Sequence, residues 1–288
     1  MVDVEEIAFE GPLAKRLIGK PKAGTRLYWL GQAGFIIECG GRRIVIDPYL
    51  SDSLAEKYRD TALSHERMMA APVTPRGLGR LDLVLSTHQH TDHMDSATLK
   101  ELFTAHSDLT LVAPSAARNE ALHRSGLTED RLALMDAGER IEPLPGLFVT
   151  ATRAAHETLE RDAVGRHRFL GYLIEADGIR VWHSGDCIPF EGLVEEVQAL
   201  SPDVVLLPVN GRRPELTQRG IAGNFSMGEA AATARAVGAA TMIAHHYGLF
   251  AFNTADPVEI DRFATRTPFP RILRARTAVA FELRRQTV

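Results

Sequence analysis

The sequence predicts an α/β protein with a core of two β-sheets and helices on the outside. Short runs rich in valine, isoleucine and leucine alternate with segments whose apolar residues have helical spacing. The second half of the chain repeats the order of the first, a hairpin followed by a buried strand and a helix. We find no low-complexity tract and no clear linker in the 288 residues. We therefore expect one domain over residues 25–288, preceded by an N-terminal arm, residues 1–24, of unknown role.

The first half opens with a meander of strands over residues 27–49. Residues 35–39 and 43–47 flank Gly40-Gly41, which is a two-residue hairpin signal. Residues 50–80 are polar and contain several prolines and glycines, which predicts a short helix and a long loop that could cover a site.

A buried strand follows at residues 82–87. The next segment has Asp95 as a helix cap and Leu99, Leu102 and Phe103 on one helical face. In the rest of this half, the sequence pattern predicts a strand at 109–113, a helix within 115–127 and a strand at 147–151 that leads to His156.

The second half predicts a hairpin, two further strands and a helix. Ser226 and Glu229 have the spacing of a capping box at the start of an alanine-rich helix that ends near Gly238. The predicted strands are 169–175, 179–183, 203–209 and 241–244, and the last of them ends at His245-His246.

Composition excludes several functional classes. The chain is 45% hydrophobic and 24% charged, which is typical of a soluble globular protein. Its net charge of -4 argues against nucleic acid as a partner, because binding phosphates requires a basic surface. No apolar run approaches the length of a membrane span, and the acidic N-terminus lacks the pattern of a secretory signal. We expect a cytoplasmic protein with a small-molecule substrate, no membrane partner and an oligomeric state that the sequence leaves open, homo-oligomers included.

The stretch His88-Gln89-His90-Thr91-Asp92-His93 is the most informative part of the chain. It places three histidines and a carboxylate within six residues, directly after an apolar strand. Imidazole and carboxylate suit zinc, manganese or iron. A turn that leaves a strand can direct His88 and His90 to one point, and Asp92 and His93 to a neighbouring one. The pattern therefore predicts a metal site.

Further candidate ligands lie at the ends of other predicted strands, where functional residues often gather. They are His156, Asp186 and the pair His245-His246. Successive strand residues alternate in direction, so only one histidine of that pair faces the site. The other titratable candidates are interpreted as non-catalytic: Cys187 as a buried free thiol, and His65, His167 and His183 as satisfied or solvated histidines.

These residues together resemble the metallo-β-lactamase superfamily from about residue 25 onward. The matching elements are His-x-His-x-Asp-His at 88–93, His156, Ser184-Gly185-Asp186, His246-Tyr247-Gly248, Gly31-Gln32-Ala33-Gly34-Phe35 and Ile46-Asp47-Pro48. The resemblance implies an αββα sandwich of two mixed β-sheets flanked by helices.

The resemblance also implies the roles of individual residues. His88, His90 and His156 would hold one divalent ion, and Asp92, His93 and His246 the second. Asp186 would bridge the two ions, which would be zinc or manganese. Asp47 would orient a ligand histidine. The position before the aromatic-glycine pair favours His246 over His245.

The implied reaction is hydrolysis by metal-bound hydroxide, with Asp92 and Asp186 as the catalytic carboxylates. Asp92 would also carry a proton to the leaving group. Relatives that perform oxygen chemistry on a di-iron pair usually have glutamate at the position of His90, so histidine there favours a hydrolase.

Residues 208–228 carry the weaker signal for the substrate. Their cations and amides, placed near a helix start, suit an anion. The candidate substrate-binding residues are Asn210, Arg212, Arg213, Arg219 and Asn224. The Asn-Gly-Arg and Gly-Asn elements resemble the L-ascorbate 6-phosphate lactonase group, which implies opening of a phosphorylated sugar lactone. The alternatives are a phosphodiesterase of the same fold and an iron-dependent oxidoreductase.

Overall fold

The computed structural model describes residues 1–286. In the first half of the chain the strands are β1 (Val2–Ala8), β2 (Thr25–Gly31), β3 (Gly34–Cys39), β4 (Arg42–Ile46), β5 (Leu83–Leu85), β6 (Leu111–Pro114) and β7 (Leu132–Met135). In the second half they are β8 (Arg140–Leu144), β9 (Leu147–Arg153), β10 (Leu170–Ala176), β11 (Ile179–His183), β12 (Val204–Pro208), β13 (Thr241–His245), β14 (Arg271–Arg274) and β15 (Val279–Arg285).

The α-helices connect these strands. They are α1 (Leu13–Arg16), α2 (Ser53–Lys57), α3 (Ser96–Ala105), α4 (Arg118–Ser125), α5 (Leu193–Ala199), α6 (Pro214–Thr217), α7 (Met227–Ala236) and α8 (Pro257–Arg266). Single 3-10 turns occupy Pro75–Leu78, Ser115–Ala117 and Glu129–Arg131. None of the helices in the described chain has the length and apolar run that crossing a bilayer requires.

The strands form two mixed sheets. The first has the order β1-β15-β2-β3-β4-β5-β6-β7, and the second has the order β14-β13-β12-β11-β10-β9-β8. In each sheet an antiparallel meander (β2-β3-β4 and β9-β10-β11) continues into parallel strands. This repeated order agrees with the similarity between the two halves of the sequence and confirms the predicted two-sheet α/β fold.

Alternate residues of the first sheet pack into two different apolar clusters, one on each face of the sheet. Phe35 and Ile37 of β3 face the second sheet and join the larger apolar cluster. Ile36 between them joins a separate cluster with Leu99 and Leu102 of α3. Side chains on a strand alternate in direction, so one strand can pack against the opposite sheet with one face and against the outer helices with the other.

Local signals in the sequence agree with the structure at several turns and caps. Gly40 and Gly41 both have positive φ, as a tight two-residue hairpin requires, and they join β3 to β4. The side chain of Asp95 accepts a hydrogen bond from Thr98 N at the start of α3. Ser226 and Glu229 form the predicted capping box of α7.

The predicted N-terminal arm, residues 1–24, requires a correction. Val2–Ala8 form strand β1, which pairs antiparallel with β15 along its whole length. Val2 and Val4 are buried in the main core. Val2–Ala8 are therefore an edge strand of the first sheet, held by β15 near the other end of the chain.

Candidate metal centre

The predicted ligands come from loops that follow four strands. Residues 88–93 lie between β5 and α3, His156 follows β9, Asp186 follows β11 and His246 follows β13. Parallel strands of both sheets end along this edge, so loops that are distant in sequence meet there. The structure brings all seven predicted ligands together.

Three overlapping groups of ligand atoms are close enough to share a cation. They are His88 with His90 and His156, His88 with His93 and Asp186, and Asp92 with His93 and His246. Within each group all ligand atoms lie within 4.8 Å of one another.

Asp186 lies between the first and third of these groups. Its Oδ1 is 3.2 Å from Nε2 of both His93 and His246, and its Oδ2 is 3.6 Å from Nε2 of His156. The backbone before it passes so close to β10 that a Cβ on Gly185 would lie 2.6 Å from Leu170 O. Glycine is required there, and this tight passage places the Asp186 carboxylate between the histidines.

Asp47 fixes the ring of His93 and the backbone before His88 through hydrogen bonds. Its Oδ2 lies 2.8 Å from Nδ1 of His93 and also accepts a hydrogen bond from Thr87 Oγ1 at 2.7 Å. Its Oδ1 accepts the Thr87 backbone N–H at 2.7 Å. The carboxylate requires Nδ1 of His93 to donate, so Nε2 is the atom left to face a cation.

Electrostatics separate the histidines into two types. Burial lowers the pKa of His88 well below its usual range and the pKa of His156 to about 4, so both are neutral ligands at pH 7. Burial alone would also lower the pKa of His93. The carboxylates of Asp186 and Asp47 outweigh it and hold that pKa well above the usual value.

Buried polar atoms without partners test whether a metal fits here. Within residues 1–286, His88 Nε2, His93 Nε2, His246 Nε2 and Asp186 Oδ1 are buried and make no hydrogen bond of good geometry, although the two nitrogens of His93 and His246 lie 3.2 Å from Asp186 Oδ1. A buried polar group left unsatisfied costs about 1–3 kcal/mol, and four such atoms converge in one place. Imidazole nitrogens and carboxylate oxygens are ligands for zinc or manganese. The residues fit divalent cations.

The structure distinguishes between His246 and His245, the two alternative candidates for the same ligand position. His246 has a positive φ of 60°, and this conformation turns its ring into the cluster. His245 is completely buried and packs against Phe35 and His183, with ring centroids 5.4 and 4.9 Å away. This geometry favours His246 as the ligand.

The other candidates lie outside these ligand groups. Cys187 is a buried free thiol that donates to Ile188 O. His183 Nε2 donates to Ala33 O at 2.8 Å, and its Nδ1 accepts from Gly185 N. His167 Nδ1 lies 2.8 Å from Asp136 Oδ1. His65, in contrast, lines the cavity beside the cluster.

The cluster opens into a cavity of about 320 Å³. Its wall includes His90, Asp92, His156, Asp186 and His246 from the candidate ligands. Gln32, Lys57, Tyr58, Arg124, Phe250 and Phe252 also line it, and no sequence pattern predicted a binding role for any of them. The signal available for Phe250 and Phe252 was their position in the loop that follows His246.

The predicted substrate-binding arginines have other contacts. Arg212 pairs with Glu229 and donates to Asn224 O, and Arg213 donates to the carbonyls of Phe252 and Thr254. Neither guanidinium lines the cavity, and Arg219 is an exposed residue that does not line it either.

The predicted asparagines lie behind the cavity wall. Asn224 Nδ2 donates to Asn210 Oδ1 at 3.1 Å, and Asn210 Nδ2 donates to Asn253 Oδ1 at 2.9 Å. Asn253 is the member of this chain that lines the cavity. Asn210 and Asn224 therefore reach the cavity through Asn253.

The two-sheet sandwich and its histidine-carboxylate cluster define a metallohydrolase of the metallo-β-lactamase fold. The Beta-lactamase superfamily domain family matches residues 42–247, well over half of the chain. The chain therefore belongs to the metallo-β-lactamase superfamily, and it is a metal-dependent hydrolase of that fold.

Individual relatives agree with this placement. A UPF0173 metal-dependent hydrolase of Polynucleobacter asymbioticus is 31% identical over 208 residues, which cover 66% of this chain and 67% of the relative. A protein of the same description from a Polaromonas species is 28% identical over 273 residues, covering 87% and 88%.

Solved structures show the same fold. Igni18, a metallo hydrolase from Ignicoccus hospitalis, has a TM-score of 0.68 at 20% identity and covers 91% of this chain and 99% of its own. An isothiocyanate hydrolase from Delia radicum gut bacteria has a TM-score of 0.71 at 20% identity and covers 88% and 98%.

Proposed function

We propose that this protein uses two divalent ions, zinc or manganese, to open a small anionic lactone, with a phosphorylated sugar-acid lactone as the first candidate. The observation that carries the proposal is the pair of ligand groups on either side of Asp186, open to one cavity of about 320 Å³. A cavity of this volume suits one small molecule.

The residues that would hold the ions are those of the first and third ligand groups described above. His88, His90 and His156 would hold one ion, and Asp92, His93 and His246 the other, with Asp186 shared between them. Bound divalent ions supply an activated water and polarise a carbonyl oxygen.

Asp92 is suited to proton transfer in this site. Its Oδ2 accepts a hydrogen bond from Gln32 Nε2 at 2.8 Å, which fixes the carboxylate at the cavity wall. Burial would raise its pKa, but His93 and His246 hold the pKa below the usual value. The carboxylate is ionised at neutral pH, so it can accept a proton from water and pass it to the leaving alkoxide.

Two cations on the cavity wall support an anionic substrate. They are Lys57 and Arg124, which come from α2 and α4. Arg124 already donates to two backbone carbonyls, whereas Lys57 is an exposed residue at the end of its helix. In the proposal, Lys57 takes the role that the sequence suggested for Arg212, Arg213 and Arg219.

The test is elemental analysis of the purified protein, followed by hydrolysis assays after loading with zinc or manganese. Plain and phosphorylated lactones serve as substrates. We expect two ions per chain, turnover of lactones and loss of that turnover in His90→Ala. His123→Ala, a change at an exposed histidine of α4, is the matched control. Bound iron with no lactone turnover would instead support an oxidoreductase, and turnover of phosphodiesters alone would support a phosphodiesterase.

A further inference from the structure

Four ring side chains form a part of the cavity wall that takes no part in the metal chemistry. Tyr58 and His65 stack with ring centroids 4.3 Å apart. His65 meets Phe250 and Phe252 edge-on at 5.0 and 4.8 Å, and these two phenylalanines are parallel at 5.9 Å. We call Tyr58, His65, Phe250 and Phe252 the aromatic wall, and all four line the cavity that contains the ligand cluster.

The aromatic wall is built from two loops that are far apart in sequence. One follows α2 and the other follows β13, and Met68 N donates to Leu249 O at 2.8 Å to join them. Phe250 belongs to a small apolar cluster with Tyr49, Leu54 and Leu249, which is separate from the two cores of the sandwich. These side chains therefore shape the cavity rather than hold the sheets together.

The histidine in this wall is an uncharged ring. Its Nδ1 lies 2.8 Å from Leu63 O, and a carbonyl only accepts, so Nδ1 carries the proton. Burial lowers the pKa of His65, which keeps the ring neutral at pH 7. His65 consequently presents an aromatic face and a hydrogen-bond acceptor, Nε2, instead of a positive charge.

The size of the cavity brings the wall and the ligand cluster to the same substrate. At about 320 Å³ it lies near the lower end of the usual range for ligand pockets. A small molecule whose carbonyl lies at the ligand cluster will extend its remaining atoms along the rest of the cavity. Flat rings gain most from stacked or edge-to-face contact with aromatic side chains.

We propose that the aromatic wall is a specificity subsite that binds a flat apolar group, in the simplest case an aryl ring, next to the carbonyl that is hydrolysed. The inference relies on the proposed function only for the identity of the reacting group as a lactone. It narrows the substrate class from small anionic lactones in general to those that also carry a flat, apolar group, and it therefore ranks such lactones above the phosphorylated sugar-acid lactone named first under the proposed function.

The first arm of the test measures binding and does not depend on turnover. Phenylacetate and cyclohexylacetate have the same carboxylate and nearly the same size, but only phenylacetate is flat. We expect phenylacetate to bind the zinc-loaded protein more tightly in calorimetric titration. Phe252→Leu should weaken phenylacetate binding by about five-fold, within the range measured for aromatic pairs, and leave cyclohexylacetate binding unchanged.

Two further variants support this arm, the first as a control and the second as a substitute for Phe252→Leu. Phe9→Leu makes the same change at a partly buried phenylalanine that packs against Tyr28 outside the cavity, and it should bind both acids as wild type does. Tyr58→Leu repeats the test if Phe252→Leu fails to fold, as judged by thermal unfolding. Metal content is measured in every variant, so a lost ion is not mistaken for a lost subsite.

The second arm compares α-phenyl-γ-butyrolactone with γ-butyrolactone. Phe252→Leu should raise KM for the phenyl lactone with little change in kcat, which is the behaviour of a residue that binds but does not react. Equal binding of the two acids by wild type, or equal effects of Phe252→Leu on both, would overturn the inference even if lactones are hydrolysed. Selective loss of phenylacetate binding in a protein that hydrolyses no lactone would support the subsite and reject the proposed reaction.

Discussion

The Nδ1 atom of His93 lies 2.8 Å from Oδ2 of Asp47, and both side chains are completely buried. The same carboxylate accepts two hydrogen bonds from Thr87, the residue before His88. Asp47 thus fixes the ring of one candidate ligand and the backbone that precedes another. Its own backbone has a positive φ of 46°, which aspartate and asparagine tolerate better than most residues.

We predict that Asp47→Asn weakens metal binding without unfolding the protein. Asparagine keeps the shape and the tolerated φ, but it loses the charge that fixes the His93 tautomer. Removing a partner of this kind typically costs about 10- to 100-fold in metal affinity. Competition with a chromogenic chelator measures the change. Asp177→Asn is the matched control, because Asp177 also has a positive φ but lies in the hairpin between β10 and β11. Unchanged affinity in Asp47→Asn would contradict the orienting role.

His245 and His246 should respond differently to the same substitution. His246→Ala removes a ring that lies 3.2 Å from Asp186, so we expect a loss of bound metal with little change in stability. His245→Ala leaves a cavity beside Phe35 and should cost about 2 kcal/mol in the free energy of unfolding while the protein keeps its metal. Metal analysis and urea unfolding of the two variants separate the roles. The reverse pattern would make His245 the ligand.

Arg124 should hold the ligand loop in position from α4. Its Nη1 lies 2.6 Å from Gln89 O and 3.2 Å from Met94 O, which flank the loop that carries His90, Asp92 and His93. We expect Arg124→Gln to weaken metal binding by about ten-fold, since the loop loses its charge-assisted hydrogen bonds. Arg131→Gln is the control, because Arg131 binds the carbonyls of His106 and Leu109 away from the ligands. Equal metal affinity in both variants would limit Arg124 to a role in stability.

Local signals explain which parts of the fold the sequence could predict. The Gly40-Gly41 hairpin, the Asp95 cap and the Ser226 capping box depend on neighbouring residues, and all three agree with the structure. The sequence does not predict strand β1, because its partner is β15, at the far end of the chain. No local pattern reports such a pairing.

The same distinction applies to the candidate site. The clustering of the candidate ligands was predictable because residues 88–93 are contiguous and the other candidates follow strong strand patterns. The cavity wall was not, because Tyr58 and His65 reach Phe250 only through the tertiary contact of two loops. The arginines near residue 212 are the reverse case, because here the sequence carries a signal that the structure explains by another contact. Their charge suggested a substrate, whereas Arg212 is paired with Glu229.

The Arg212–Glu229 pair leads to a prediction on stability and its pH dependence. Glu229 Oε2 accepts hydrogen bonds from Ser226 N and Ser226 Oγ at the start of α7, and its Oε1 pairs with Arg212. Burial would raise the pKa of Glu229, but the contacts with Arg212 and Ser226 hold it below the usual value. Glutamine can still accept a hydrogen bond from Ser226 in the capping box, but it loses the charge beside Arg212, so Glu229→Gln should lower the free energy of unfolding by up to about 1 kcal/mol at pH 7.

The sign of the pH effect follows from the lowered pKa. The stabilisation by Glu229 is complete above its unperturbed pKa of 4.5, and it is lost as the pH falls through the lower pKa of the folded state. The difference between wild type and Glu229→Gln should thus shrink when urea unfolding is repeated below pH 4. Arg212→Ala should show a similar loss of stability at pH 7 and no change in KM for phosphorylated lactones, while Lys57→Ala raises that KM. A selective rise in KM in Arg212→Ala would instead return Arg212 to the substrate.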